Sequence, residues 1–128
     1  VPSVTEDRKH TRLVIELPVK LSRENRGSVD GMTRNISFGG VYVVLGERVD
    51  TCSGDACQLR LVLQGEPEPI EIQLKCKVVH ASGTGLGLKF LGIDASDYQD
   101  FQFLMINNSD DPEKLLEELS HNPGLEVC

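Results

Sequence analysis

Tryptophan is absent from the 128-residue sequence, and Phe, Tyr and Trp together make up only 5% of it. A core or ligand platform built on indole rings is therefore excluded. Long apolar runs are missing too. The longest is the five residues Val41 to Leu45, against about 20 for a membrane helix, so no membrane insertion is expected. No basic region leads into an apolar segment at the start of this sequence, so no signal peptide is expected, and the expected location is cytoplasmic. Positive charge is scarce. Lys and Arg number 13 against 20 Asp and Glu, a net charge of −7, which argues against a general DNA or RNA binder with its basic face. Catalytic signatures are also lacking: there is no Gly-x-Ser-x-Gly, no His-Glu-x-x-His, and none of His10, His80 and His121 has a nucleophile or carboxylate at a telling spacing. No enzyme activity and no catalytic residue are expected.

Cysteine is sparse. Cys52, Cys57, Cys76 and Cys128 form no dense framework, so they read as reduced thiols, with Cys57 and Cys76 as small core residues. A zinc site from Cys52, Cys57, Cys76 and His80 fails on geometry. Residues 76 and 80 in one strand stand about 13 Å apart, too far for two bonds of about 2 Å to one ion. No metal and no cofactor are expected.

What is present is a period of two. Leu13, Ile15, Leu17, Val19 and Leu21 alternate with polar positions, with Pro18 marking an edge or bulge. After the turn Asn25-Arg26-Gly27-Ser28, a less regular strand is predicted over 29–36, with a bulge at Gly31. A β-branched and aromatic strand follows Gly39-Gly40. Cys57 to Leu63 and Ile70 to Val78 alternate cleanly, and a last strand carries Leu86, Leu88 and Phe90 on one face. Six short strands with regular turns predict a mainly β fold, an antiparallel barrel or sandwich. The run Gly83-Thr84-Gly85-Leu86-Gly87 precedes a strand rather than a helix, so it reads as a hairpin and not a dinucleotide loop.

From Ala95 the period becomes helical. Ser96-Asp97-Tyr98-Gln99 matches a capping box, and Tyr98, Phe101, Leu104 and Met105 give one apolar face to cover the barrel, with a helix to about Ile106. A second short helix is predicted from Asp111 as N-cap, Pro112 in the first turn, and Leu115, Leu116 and Leu119 on one stripe, ending at Asn122-Pro123-Gly124.

Charge is distributed unevenly. Residues 8–34 hold seven cations against three anions, and residues 94–128 hold nine anions against Lys114. This suggests a small anionic ligand near the front of the chain and an acidic, partner-facing end. Two segments are not explained by core packing: Arg8-Lys9-His10-Thr11-Arg12, and Asn35-Ile36-Ser37-Phe38-Gly39-Gly40. An antiparallel pair of strands brings both to one end of a hairpin. Two guanidiniums with an amide and a hydroxyl suit a planar heterocycle bearing phosphate, since Arg forks onto guanine O6 and N7 and pairs with phosphate. Glycines at 39 and 40 allow positive φ and a close approach of ligand to backbone.

These two segments, Arg-x-x-x-Arg and Asn-x-Ser-x-x-Gly, are complete at every defining position, and with them the sequence resembles the PilZ domains over residues 8 to about 107. The resemblance implies a six-stranded antiparallel split barrel with a C-terminal helix packed on it. It implies a flexible N-terminal arm, 1–12, followed by the barrel and helix, 13–107; the acidic helix and tail, 108–128, lie outside it. It also implies a ligand, the bacterial second messenger cyclic di-GMP, held by Arg8, Arg12, Asn35, Ser37, Gly39 and Gly40. Arg8 and Arg12 would clamp guanine and phosphate, Asn35 and Ser37 would meet a guanine edge and a phosphate, and Gly40 would leave room. Asp7 stands where some relatives carry an Arg, which implies a single ligand per chain. Function would be that of a sensor or adaptor with a downstream protein partner. The alternatives are an interaction module of the same fold that binds no nucleotide, and a split-barrel flavin reductase.

Overall fold

The computed structural model describes residues 11–23, 27–49, 51–64, 68–121 and 126–127. The N-terminal arm with Arg8 and Asp7, the turn at 24–26 and the end of the second helix's flank at 122–125 lie outside the described residues.

Six antiparallel strands form a closed barrel: β1 (Pro18–Arg23), β2 (Gly27–Ile36), β3 (Gly40–Leu45), β4 (Ala56–Leu63), β5 (Ile70–Ser82) and β6 (Gly85–Ile93). The order around the sheet is β3-β2-β1-β4-β5-β6, and pairing of β3 with β6 shuts the ring. Closure removes the free edges that an open sheet would expose. Helices α1 (Ala95–Asn107) and α2 (Pro112–His121) follow, and β7 (Glu126–Val127) adds a short parallel pairing on the end of β6. The predicted barrel is the observed fold. No helix among the described residues is long and apolar enough to cross a membrane.

The alternation is what builds the interior. Leu21, Val43, Leu59, Leu61, Ile72, Leu74, Cys76, Leu86 and Phe90 all point inward and are buried. Helix α1 closes over them with Phe101, Leu104 and Met105. Phe101 is fully buried and meets two rings edge-on, Phe38 at 5.5 Å and Phe90 at 5.6 Å between centroids. That arrangement suits the aromatic quadrupole.

Four local expectations are corrected. The first alternating run is not one strand: β1 begins at Pro18, and residues 14–17 make no ladder although Leu13 and Ile15 are buried. Pro18 has no N–H for continuing the ladder, and the buried hydroxyl of Thr33 substitutes. It accepts the Leu17 N–H at 2.8 Å and donates to the Ile15 carbonyl. Second, the irregularity in β2 falls between Thr33 and Asn35, not at Gly31. Gly31 is required by space instead, because a Cβ there would lie 2.5 Å from the Val44 carbonyl oxygen. Third, α1 starts at an N-cap, Asp94, that makes no side-chain cap, so no capping box forms at Ser96. Asp97 turns to β5 and accepts the Gln73 N–H at 3.2 Å. Fourth, α2 has its Asp111 cap, which accepts the Lys114 N–H at 3.1 Å, but Leu116 leaves the apolar stripe and is 48% exposed.

The thiols of Cys57 and Cys76 face each other as cross-strand partners inside the barrel and are unbridged. Burial, reinforced by the charge of Asp55 and partly offset by Arg23, pushes the Cys57 thiol up to about 11. Burial pushes Cys76 higher still.

Candidate functional site

The segment before β1 is tied to the end of β2 by a reciprocal pair of backbone hydrogen bonds. Leu13 N–H reaches the Ile36 carbonyl at 2.7 Å and Ile36 N–H reaches the Leu13 carbonyl at 2.9 Å. This two-residue bridge sets exposed Arg12 beside Ser37. Ile36 and Phe38 are fully buried, so the turn between β2 and β3 is anchored on both sides of Ser37, and Phe38 locks it to α1 through Phe101.

Ser37 shapes that turn. Its Oγ accepts the N–H groups of Gly39 and Gly40, each at 3.1 Å, while its own N–H donates to the Gly40 carbonyl at 2.8 Å. A side-chain oxygen capping two successive amides is a local turn motif. The expected positive φ is not what the glycines provide. Among the described residues positive φ occurs elsewhere and at neither Gly39 nor Gly40. Gly40 is required because β6 comes close: a Cβ there would lie 2.4 Å from the Leu88 carbonyl oxygen.

Arg12, Ser37, Gly39 and Gly40 line one cavity of about 270 Å³, together with Tyr42, Val79, Gly87 and Lys89. This is near the lower end of small-molecule sites, about 300 Å³. Asn35 stands just outside that lining, on the outer face of β2 as the cross-strand partner of Tyr42. Of the six residues expected at the site, four line the cavity, Asn35 borders it, and Arg8 lies outside the described residues.

Tyr42 and Lys89 were not anticipated. Tyr42 lies down along the sheet, its hydroxyl 2.0 Å from where a Cβ on Gly85 would be. Gly85 thus leaves the space into which the ring folds. The glycine-rich run 83–87 carried a hint of close packing, but not of what packed there.

A second link joins this region to α2. Thr11, one residue before Arg12, donates its N–H to Glu118 Oε1 at 2.7 Å and its hydroxyl to Oε2 at 2.6 Å. Arg12 also borders a second cavity, of about 480 Å³, whose other wall holds Asp110, Asp111 and Lys114. The arginine therefore stands between the glycine-lined cavity and the acidic start of α2.

The PilZ domain model matches residues 6–107. The chain belongs to the PilZ domain family. Solved structures agree with the barrel of this PilZ domain. The inhibitor of motility MotI/DgrA of Bacillus subtilis is 25% identical with a TM-score of 0.61, over 74% of this chain and 47% of that one, so this chain spans about half the length of the Bacillus protein. The PilZ domain of CeSA from a cellulose-synthesizing bacterium is 22% identical with a TM-score of 0.53, covering 62% of this chain and 79% of that one. The YcgR PilZ domain of Escherichia coli, solved with c-di-GMP, is 11% identical with a TM-score of 0.65, covering 88% of this chain and 98% of that one. No curated protein matches the sequence.

Proposed function

We propose that this PilZ domain binds cyclic di-GMP in the cavity lined by Arg12 and the Ser37–Gly40 turn and relays the binding event without catalysing a reaction. The observation that carries the reading is the Leu13–Ile36 bridge, because it brings halves of the two family motifs to one cavity. Chemistry agrees. A guanidinium offers a fork to guanine or phosphate, and Gly39, Gly40 and Gly87 in the lining put no side chain in the way of a planar ring. The cyclic di-GMP in the YcgR domain, on the same fold, supports the choice of ligand.

The relay follows from the N-terminal motif. Residues 1–12 act as an arm ahead of the barrel and helix of residues 13–107, with residues 108–128 as an acidic output segment. Thr11 and Arg12 at the base of the arm are already tied down in the free chain, through Glu118 and the Leu13–Ile36 bridge, so the ligand acts on the part of the arm that carries Arg8. A dianionic ligand bridging Arg8 and Arg12 to Asn35 and Ser37 orders the arm, and Thr11 passes the change to α2 through Glu118. The altered surface is what a downstream protein partner reads, in the cytoplasm. With Asp7 ahead of the motif, the stoichiometry is one ligand per chain.

Calorimetric titration tests the reading. Cyclic di-GMP should bind the full chain with one site, and 5′-AMP should not compete. A flat isotherm would refute it and leave the domain as an interaction module; a yellow, flavin-loaded preparation would point to the enzyme reading instead.

A further inference from the structure

The cavity has a second wall, away from Arg12 and outside both family motifs. Strand registers define it. Gly40 pairs with Lys89 across β3 and β6, and Lys89 pairs with Lys77 across β6 and β5. Val41, Leu88, Phe90, Cys76 and Val78 are buried inside the barrel, so by alternation Gly40, Lys89 and Lys77 occupy the outer face. Both lysines are exposed, and Lys89 lines the cavity. Among the described residues neither makes an ion pair.

This is an unusual placement in a chain with seven more anions than cations. Two like charges directly opposite on neighbouring strands destabilise a sheet. Acidic residues are plentiful, yet none of those described lies within ion-pair distance of either lysine. With Lys89 in the cavity lining and Lys77 beside it, such a pair has the chemistry to take an anion supplied from outside.

We propose that Lys89 and Lys77 form a second anion subsite, which takes the phosphodiester of a cyclic dinucleotide on the side of the ring opposite the one held by Arg12. The inference rests on the reading of the cavity as a cyclic di-GMP site and assigns it further residues. A cyclic dinucleotide carries two phosphodiesters on opposite sides of one macrocycle, so one cationic locus leaves the second charge uncompensated. Lys suits that task, as a compact point charge on a flexible stem.

The test pairs affinity with stability. Cyclic di-GMP is titrated calorimetrically into the wild type, Lys89→Gln, Lys77→Gln, the double variant and Arg12→Ala, and thermal unfolding of each is followed without ligand. Each lysine variant should raise Kd by about 3- to 10-fold, between the effect of an exposed ion pair and that of a charge-assisted hydrogen bond, and the double variant by more. The differences should shrink in about 0.5 M NaCl, where charges are screened within a few ångströms. Without ligand, Tm should stay level or rise, because the repulsion between residues 77 and 89 is gone. A lysine variant that binds like the wild type, while Arg12→Ala does not, would overturn the subsite and leave the cyclic di-GMP reading standing. Loss of affinity accompanied by a drop in Tm would overturn it too, as a structural role. No binding to the wild type would overturn both.

Discussion

Replacing Thr33 with Val should cost this domain more than its near-identical shape suggests. Thr33 is fully buried, and its hydroxyl serves two backbone groups, the Leu17 N–H and the Ile15 carbonyl, at the point where Pro18 stops the ladder. Valine keeps the volume and leaves both groups without a partner. An orphaned buried polar group costs roughly 1–3 kcal/mol, and Leu17 is only partly buried, so water recovers part of its share. The added methyl returns under about 1 kcal/mol. The balance is a loss of about 2–3 kcal/mol, a substantial part of the roughly 5–15 kcal/mol that holds a domain together. Urea denaturation of wild type, Thr33→Val and Thr33→Ser would measure it. The serine variant keeps the hydroxyl and should lose only about 1 kcal/mol, and amide exchange at Leu17 should accelerate in the valine variant alone. A valine variant within about 0.5 kcal/mol of wild type, with Leu17 still protected, would refute the reasoning.

Other expectations can be checked on the same preparations. Arg12→Ala should raise the Kd for cyclic di-GMP by roughly 5- to 150-fold, the value of a bidentate arginine contact of about 1–3 kcal/mol, with unchanged Tm. Phe101→Ala should destabilise by about 3–5 kcal/mol, since it empties the space between Phe38 and Phe90, and should weaken binding by releasing the Ser37 turn. Because the folded-state pKa of Cys57 is raised to about 11, folding favours its protonated form. Stability is therefore full below the ordinary thiol range near 9 and should fall as pH rises from about 9 towards 11; in Cys57→Ala, monitored by urea midpoints, part of that fall should vanish. Glu118→Ala should speed amide exchange at Thr11 by about tenfold or more, as the carboxylate that holds it is gone.

Much of the fold was legible because a barrel strand has one wet and one dry face, and alternation records that directly. The runs 57–63 and 70–78 could hardly be anything else. The first run misled for a physical reason: Leu13 and Ile15 are buried and spaced like strand residues, but burial here is achieved by a side-chain hydroxyl 18 residues from Ile15, which no periodicity reports. The capping box at Ser96 matched as a pattern, yet Asp97 had a better partner on β5. The two motifs pointed to Arg12, Ser37 and Gly40 from local sequence. Tyr42 and Lys89 escaped because their place at the cavity depends on how β3 closes against β6, across more than 40 residues of chain, and closure has no local signature.

The central claim is that ligand binds at the cavity where β3 meets β6. A two-dimensional NMR titration of the full chain with cyclic di-GMP tests it directly. Amide resonances of Arg12, Gly39, Gly40, Tyr42 and Lys89 should shift in saturable fashion with one common Kd, while Ile72 and Leu74 on β5 stay in place. Absence of saturable shifts, or shifts centred elsewhere on the barrel, would contradict the account.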